Sequence, residues 1–203
     1  MRYLIVILIG YLLGSANLAY WISKKKKVDF RGNGSGNLGA SNAMLLLGWG
    51  AGVAVALHDG GKAFLAVLLA RALFPDLEYA AVLAGVASIM GHIFPFYLKF
   101  QGGKGLASLV GMALAVDWRV GLSIFALLVV VAFVTDYIVL GTVSVSLATP
   151  AGMWLTTRNW IFPLVIGIAS AVIIWKHREN IKRICNGTEI RMLGAMKGEN
   201  RIK

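Results

Sequence analysis

The chain reads as an all-α integral membrane protein. The expected layout is seven transmembrane helices plus one short re-entrant or interfacial segment, with the N-terminus outside and the C-terminus cytoplasmic. Three observations predict this. The 203 residues are 58% hydrophobic with a mean hydropathy of +0.75, far from a soluble profile. Uncharged stretches long enough to cross a ~30 Å hydrocarbon core recur along the chain. The 20 Lys and Arg outnumber 9 Asp and Glu, and the excess is unevenly placed. The spans use almost the whole chain, so residues 1–203 form a single transmembrane domain. A net charge of +11 in such a chain points to positive-inside bias and anionic headgroups, not to nucleic acid. The one cysteine, Cys185, excludes an internal disulfide.

Taken in order, residues 3–23 are uncharged and precede Lys24-Lys25-Lys26-Lys27. The run is too long for a signal-peptide core and has no clear cleavage site, so it reads as a retained helix. Residues 43–57 are uncharged and glycine-rich, the expected re-entrant or interfacial piece. Residues 63–74, interrupted by Arg71, and 105–116 are short spans; without these two the count is five, the main alternative to seven. Residues 79–98, 120–135, 137–157 and 159–175 are longer ones. Pro95 lies near a span end, and Pro150 and Pro163 are expected to kink their helices. Sixteen of the 20 basic residues then share one face: Lys24 to Lys27 and Arg31, Lys62, Lys99 and Lys104, and eight between Lys176 and Lys203. Asp76, Glu78 and Asp117 fall on the other. This split assigns the sixteen to the cytoplasm.

Three polar segments meet the cytoplasmic face on that topology. The first, Gly34-Ser35-Gly36-Asn37-Leu38-Gly39-Ala40-Ser41-Asn42, sets Ser and Asn among small residues. It is a flexible loop or an anion-holding turn. It is not an ATPase P-loop, because no Lys-Ser/Thr pair closes it. The second, Gly102-Gly103-Lys104-Gly105, is a helix start carrying a topology charge, or a set of glycine amides and an ammonium at a helix N-terminus, where phosphate binds well. The third begins His177-Arg178-Glu179-Asn180 and continues to Gly187-Thr188-Glu189. It is a juxtamembrane basic run or a mixed polar face, with His177 and Asn180 one turn apart. His92 alone is a hydrogen-bonded structural histidine as readily as a ligand group. A local structural pair is the stronger reading of Asp59 and Lys62. Thr142 is by default a hydroxyl bonded back into its own helix. No charged pair is expected mid-membrane. No His is followed five residues later by an acid, no Gly-x-Ser-x-Gly elbow occurs, and no cluster has metal-ligand spacing. Neither a metal nor a cofactor is expected.

With Gly91-His92, Phe94-Pro95 and Lys99-Phe100-Gln101 added, these segments resemble the acyl-phosphate-dependent glycerol-3-phosphate acyltransferases of bacterial membranes. The likeness runs nearly end to end. It implies transfer of a fatty acyl group from acyl phosphate to the 1-hydroxyl of glycerol 3-phosphate. The products would be lysophosphatidic acid and phosphate, made in phospholipid synthesis at the inner membrane. It also implies roles at two phosphate sites for Ser35, Lys104, His177, Arg178 and Asn180, with Gly102 and Gly103 close by. The site set on this reading is Ser35, Lys104, His177 and Asn180 as catalytic residues. Gly36, Asn37, Asn42, His92, Gly102, Gly103, Thr142 and Arg178 would bind substrate. Three positions depart from the family pattern: Leu45 stands where Arg is common, Ala63 where Gly is usual, and Thr142 where Ser is usual. An acyl phosphate carries its own leaving group, so direct attack without an acyl-enzyme is expected, with positioning and charge neutralisation supplying the rate. The rival class is a membrane transporter for a phosphorylated solute, which broken helices and a re-entrant stretch would suit.

Overall fold

The computed structural model describes residues 1–196, so Lys197, Arg201 and Lys203 of the basic count lie outside the described residues. Eleven helices follow in order: α1 Arg2–Ser15, α2 Leu18–Lys26, α3 Ala40–Leu47, α4 Trp49–Leu73, α5 Ala80–Ile93, α6 Leu106–Val116, α7 Trp118–Thr135, α8 Ile138–Thr157, α9 Ile161–Lys176, α10 Arg178–Cys185 and α11 Met192–Met196. A 3₁₀ turn, Phe96–Leu98, extends α5. Five segments are long and apolar enough to cross a membrane: Arg2–Lys26, Trp49–Leu73, Ala80–Leu98, Trp118–Thr135 and Ile138–Thr157. A sixth is reached if α9 and α10, bent by 47° from each other, count together. α6, with 11 residues, is only about 16 Å long.

Several boundaries differ from the sequence expectation, each for a local reason. The run 3–23 is not one helix. It breaks at Ala16 and Asn17, where the Asn17 side chain turns back to accept the Tyr20 N–H at 2.8 Å and so caps α2. The stretch 43–57 is not a unit either. Gly48, at φ 89°, ends α3 and starts α4, so its second half is the first part of a 25-residue helix. Residues 63–74 are the end of that same helix. Arg71 is tolerated there because its guanidinium reaches the last carbonyls of α6, Ala115 and Val116, at 2.6 and 2.8 Å. Pro163 is the third residue of α9, where no backbone bond is lost, so it produces no kink. Pro150 lies inside α8, which continues through it.

The helices pack through small residues. Gly14 lies directly against the Ser88 backbone and Gly91 against the Tyr11 carbonyl, so α1 and α5 touch backbone to backbone. Gly111 of α6 meets Gly60 of α4 in the same way. α5 is the central helix: 67% of its span window is buried, against 22% for α7, which faces outward. One end of the bundle carries Arg2 paired with Asp76 at 2.5 Å and Asn159 donating to Glu78 at 2.8 Å. The opposite end gathers residues 27–39, 94–105 and 177–191. Lys62 lies where α1 breaks at Ala16 and α5 nears its end at His92. It is buried midway along α4 and paired with Asp59 at 3.0 Å. The local pairing is as the sequence suggested, but it lies inside the Trp49–Leu73 segment, so a buried charged pair does sit within an apolar span, against expectation.

Candidate active site

A cavity of about 740 Å³ opens at the motif-bearing end, between α3, α4, α6, α7 and the chain after α9. Its polar half is lined by Ser35, Asn37, Lys104, His177, Asn180 and Glu189. Its other half is apolar, with Leu57, Phe64, Leu122 and Phe125 among the lining. These four are also exposed on the outside of the bundle, so the groove opens laterally toward lipid.

The first polar segment is shaped by Asn42. Its buried carboxamide accepts the Ser35 N–H at 2.7 Å and donates to the Phe30 carbonyl at 2.7 Å and to the Asn33 carbonyl at 3.3 Å. Gly34 and Gly36, at φ 64° and 68°, provide the reversals this loop needs. Gly39 then starts α3 without a side-chain cap. The first N–H groups of that helix, at Ala40, Ser41 and Asn42, therefore have no intrahelical partner. Gly39, Ala40 and Ser41 all line the cavity. Asn42 itself does not; it works as the fastener of the loop, and Gly36 also lies off the lining.

The second segment corrects a detail of the anion-nest reading. The amides of Gly102 and Gly103 are already engaged, donating to the Ile93 and His92 carbonyls at 3.0 and 3.1 Å. They close the end of α5, and a methyl group at either position would overlap the His92 backbone or ring. What remains for a ligand is the α6 N-terminus. Gly105, at φ 97°, starts the helix without a side-chain cap. The first amides of α6 lack intrahelical partners, and Lys104, Gly105, Leu106 and Ala107 line the cavity. Two helix N-termini, of α3 and α6, thus face one space, each contributing positive dipole and N–H donors.

Lys104 stands beside them. Its ammonium donates to the Asn180 carboxamide oxygen, and among the described residues it forms no ion pair. Asn180 passes the connection on, donating to Glu189 at 2.7 Å, and Arg183 holds the other Glu189 oxygen at 2.7 Å. Burial, and next the charge of Arg183, push the Lys104 ammonium down to about 8, against the pull of Glu189. The charges on α10 place it at the membrane surface, so α9 ends the buried segment and His177 lies beyond it. His177 donates from Nδ1 to the Ile173 carbonyl at 2.8 Å, which leaves the Nε2 lone pair free. Burial is the main reason that its pKa lies at about 4, and Lys104 and Lys176 lower it further.

Most of the sequence-derived site residues meet here: Ser35, Asn37, His92, Lys104, Thr142, His177 and Asn180 line the cavity. The Thr142 hydroxyl donates back to the Ile138 carbonyl at 2.9 Å, as its helical position suggested. Arg178 is not brought in. Its guanidinium stacks over Trp175, 4.4 Å from the ring centroid, and donates to the Trp175 carbonyl, outside the cavity lining. Glu189 and Arg183 belong to the third polar segment but stood outside the expected site set; the structure makes them the support of Asn180, with Gly187, at φ 70°, turning the chain back over α10.

Residues 4–187 match the family model described as glycerol-3-phosphate acyltransferase. A glycerol-3-phosphate acyltransferase of Parasynechococcus marenigrum is 38% identical over 92% of this chain and 88% of its own length. Glycerol-3-phosphate acyltransferase 1 of Deinococcus radiodurans is 38% identical over 93% and 95%. The crystal structure of PlsY (YgiH), an integral membrane glycerol 3-phosphate acyltransferase, in its glycerol 3-phosphate form superposes with a TM-score of 0.88 at 32% identity, covering 94% of this chain and 96% of that one. Its lysophosphatidic acid form gives 0.86 at 31% identity, covering 97% and 100%. With nine-tenths of its length matched by sequence and fold alike, the chain belongs to the glycerol-3-phosphate acyltransferase family.

Proposed function

We propose that this protein transfers a fatty acyl group from acyl phosphate to the 1-hydroxyl of glycerol 3-phosphate, giving lysophosphatidic acid and inorganic phosphate for phospholipid synthesis. The observation that carries the reading is the cavity itself: two uncapped helix N-termini and Lys104 at one end, a lipid-facing apolar groove at the other. Both reactants bear phosphate, and one bears an acyl chain. The α6 N-terminus and Lys104 hold one phosphate, while Ser35, Asn37 and the α3 N-terminus hold the second. The acyl chain lies along Phe64 and Phe125. The acceptor hydroxyl oxygen attacks the acyl carbonyl carbon, the bond from that carbon to the phosphate oxygen breaks, and the departing phosphate takes the hydroxyl proton. His177, with a pKa of about 4, is too weak a base to compete with a phosphate whose second pKa is about 6. Its neutral Nε2 and Asn180 orient the acceptor. No side chain needs to carry the acyl group.

In the same reading, α1, α4, α5, α6, α7, α8 and α9 make seven alternate crossings, the N-terminus is outside, and the cavity faces the cytoplasm across the inner membrane. α3 is the short interfacial piece. The Lys and Arg clusters at the cavity end support that orientation.

Purified protein in detergent, given acyl phosphate, should release phosphate only when glycerol 3-phosphate is present. No acyl adduct on Ser35 or Ser41 should appear by quench-flow mass spectrometry, and acyl thioesters should be poor donors. Turnover without a gradient separates this enzyme from a transporter. Single cysteines at positions 36, 101 and 187, in a background lacking Cys185, should label only from the cytoplasmic side.

A further inference from the structure

In and behind the cavity wall, Asp59, Lys62 and His92 form a group of side chains for which the proposed chemistry gives no role. The Lys62 ammonium makes three contacts: the Ala16 carbonyl at 2.6 Å, His92 Nδ1 at 2.9 Å and Asp59 Oδ1 at 3.0 Å. Ala16 is the last turn of α1 opening toward α2, so the contact also ties that break to α4. A protonated lysine has three N–H donors and no acceptor. All three are therefore used, and His92 Nδ1, 2.9 Å from the ammonium and 3.4 Å from Asp59 Oδ1, is assigned as the accepting nitrogen on the shorter contact. An imidazole that accepts at Nδ1 and stays neutral carries its proton on Nε2. That Nε2 has no hydrogen-bond partner among the described residues, although His92 is only 3% exposed. It lies against Gly103, close enough that a methyl group there would overlap it, and His92 lines the cavity together with Lys104.

We propose that Asp59 and Lys62 are positioning residues that lock His92 as an Nε2–H donor, and that this N–H is a further hydrogen bond to a phosphate seated at the α6 N-terminus. The inference rests on the reading that this cavity binds phosphate. Its logic is that of a histidine whose reactive nitrogen is fixed by what the other nitrogen touches. Asp59 balances the Lys62 charge, so the lock does not place a lone cation in the bundle. Gly103 is required because any side chain would separate the ring from the ligand.

The test uses inorganic phosphate as probe on the full chain in nanodiscs, labelled with ¹⁵N histidine, lysine and glycine. The His92 signals are identified by their loss in His92→Gln. The expected spectrum shows an unprotonated Nδ1 and a protonated Nε2, and phosphate moves the Nε2–H signal together with the Lys104 and Gly105 amides. In kinetics, His92→Leu should raise KM for glycerol 3-phosphate or acyl phosphate about 10-fold, the scale of one charge-assisted hydrogen bond, with kcat changed less. His92→Gln, which restores an N–H near the Nε2 position, should stay within about 3-fold of wild type. The double change Asp59→Asn with Lys62→Met should let the ring populate both tautomers. A wild-type ring protonated at Nδ1 would overturn the proposal. So would a phosphate response at Lys104 and Gly105 that leaves His92 unmoved, or equal KM values for the Leu and Gln variants. Silence at all three positions would overturn the phosphate reading of the cavity, and this inference with it.

Discussion

Two lysines, Lys62 and Lys104, are both withdrawn from water near the same cavity, and they do opposite things. Lys62 is buried midway along α4, and each of its donors has an acceptor within 3.0 Å, one of them a carboxylate. Lys104 sits on a loop and, among the described residues, meets the neutral Asn180 alone, which leaves donors for the cavity it lines. The difference shows that burial does not separate a structural cation from a ligand-binding one; the number of unsatisfied donors does. A saturated lysine orders its protein neighbours and has no donor left for direct contact with substrate. An unsaturated one, set beside two helix N-termini, holds the protein's own positive charges close together until an anion arrives.

The largest expected effect breaks the saturated partner. Lys62→Met alone leaves the Asp59 carboxylate buried without its counter-charge, a loss of about 3–5 kcal/mol. Thermal unfolding of the purified variant should show a clear drop in midpoint, and Asp59→Asn added to it should restore much of the loss. A single variant as stable as wild type would erase the contrast between the two lysines. Next in size, Lys104→Ala and Ser35→Ala should each lower kcat/KM by at least ~100-fold, the scale of one well-placed transition-state contact, while the unfolding midpoint stays put. Near-normal turnover in Lys104→Ala would reduce Lys104 to a topology charge.

The pH dependence sharpens the comparison. The Lys104 pKa lies below its ordinary value, at about 8, so the free enzyme loses this cation as pH rises through about 8. The profile of kcat/KM should fall above that pH, and Lys104→Arg should move the falling limb well upward. Bound phosphate stabilises the ammonium, so the limb in kcat should lie higher than the one in kcat/KM. Stability responds with the opposite sign. Between about pH 8 and the unfolded value near 10.4, the native state binds fewer protons at this group than the unfolded chain does. Its contribution to stability therefore rises across the window in which activity falls. The smallest effect is set for Arg178→Gln. Because that guanidinium stacks on Trp175 outside the cavity, kcat/KM should remain within about 3-fold of wild type. A 100-fold loss would bring Arg178 into the site despite its place in the structure.

The sequence by itself determined much of this protein. Apolar run lengths marked the crossing helices, and the Lys and Arg distribution put the three motifs at one end. The family resemblance carried by the motifs implied that Ser35, Asn37, Lys104, His177 and Asn180 serve the substrate site. Those are local or compositional properties, and each residue carries its share of the signal. Only the tertiary structure decided the rest. It ended α3 at Gly48, joined 49–73 into one span, and engaged the Gly102 and Gly103 amides with the α5 carbonyls. It also turned Arg178 away and set Asp59 and Lys62 under His92. These outcomes depend on which donor meets which acceptor across helices far apart in sequence, such as Lys62 with Ala16 or Asn180 with Lys104. Hydrogen-bond saturation is a property of such pairings, and a linear pattern of residue types does not encode it.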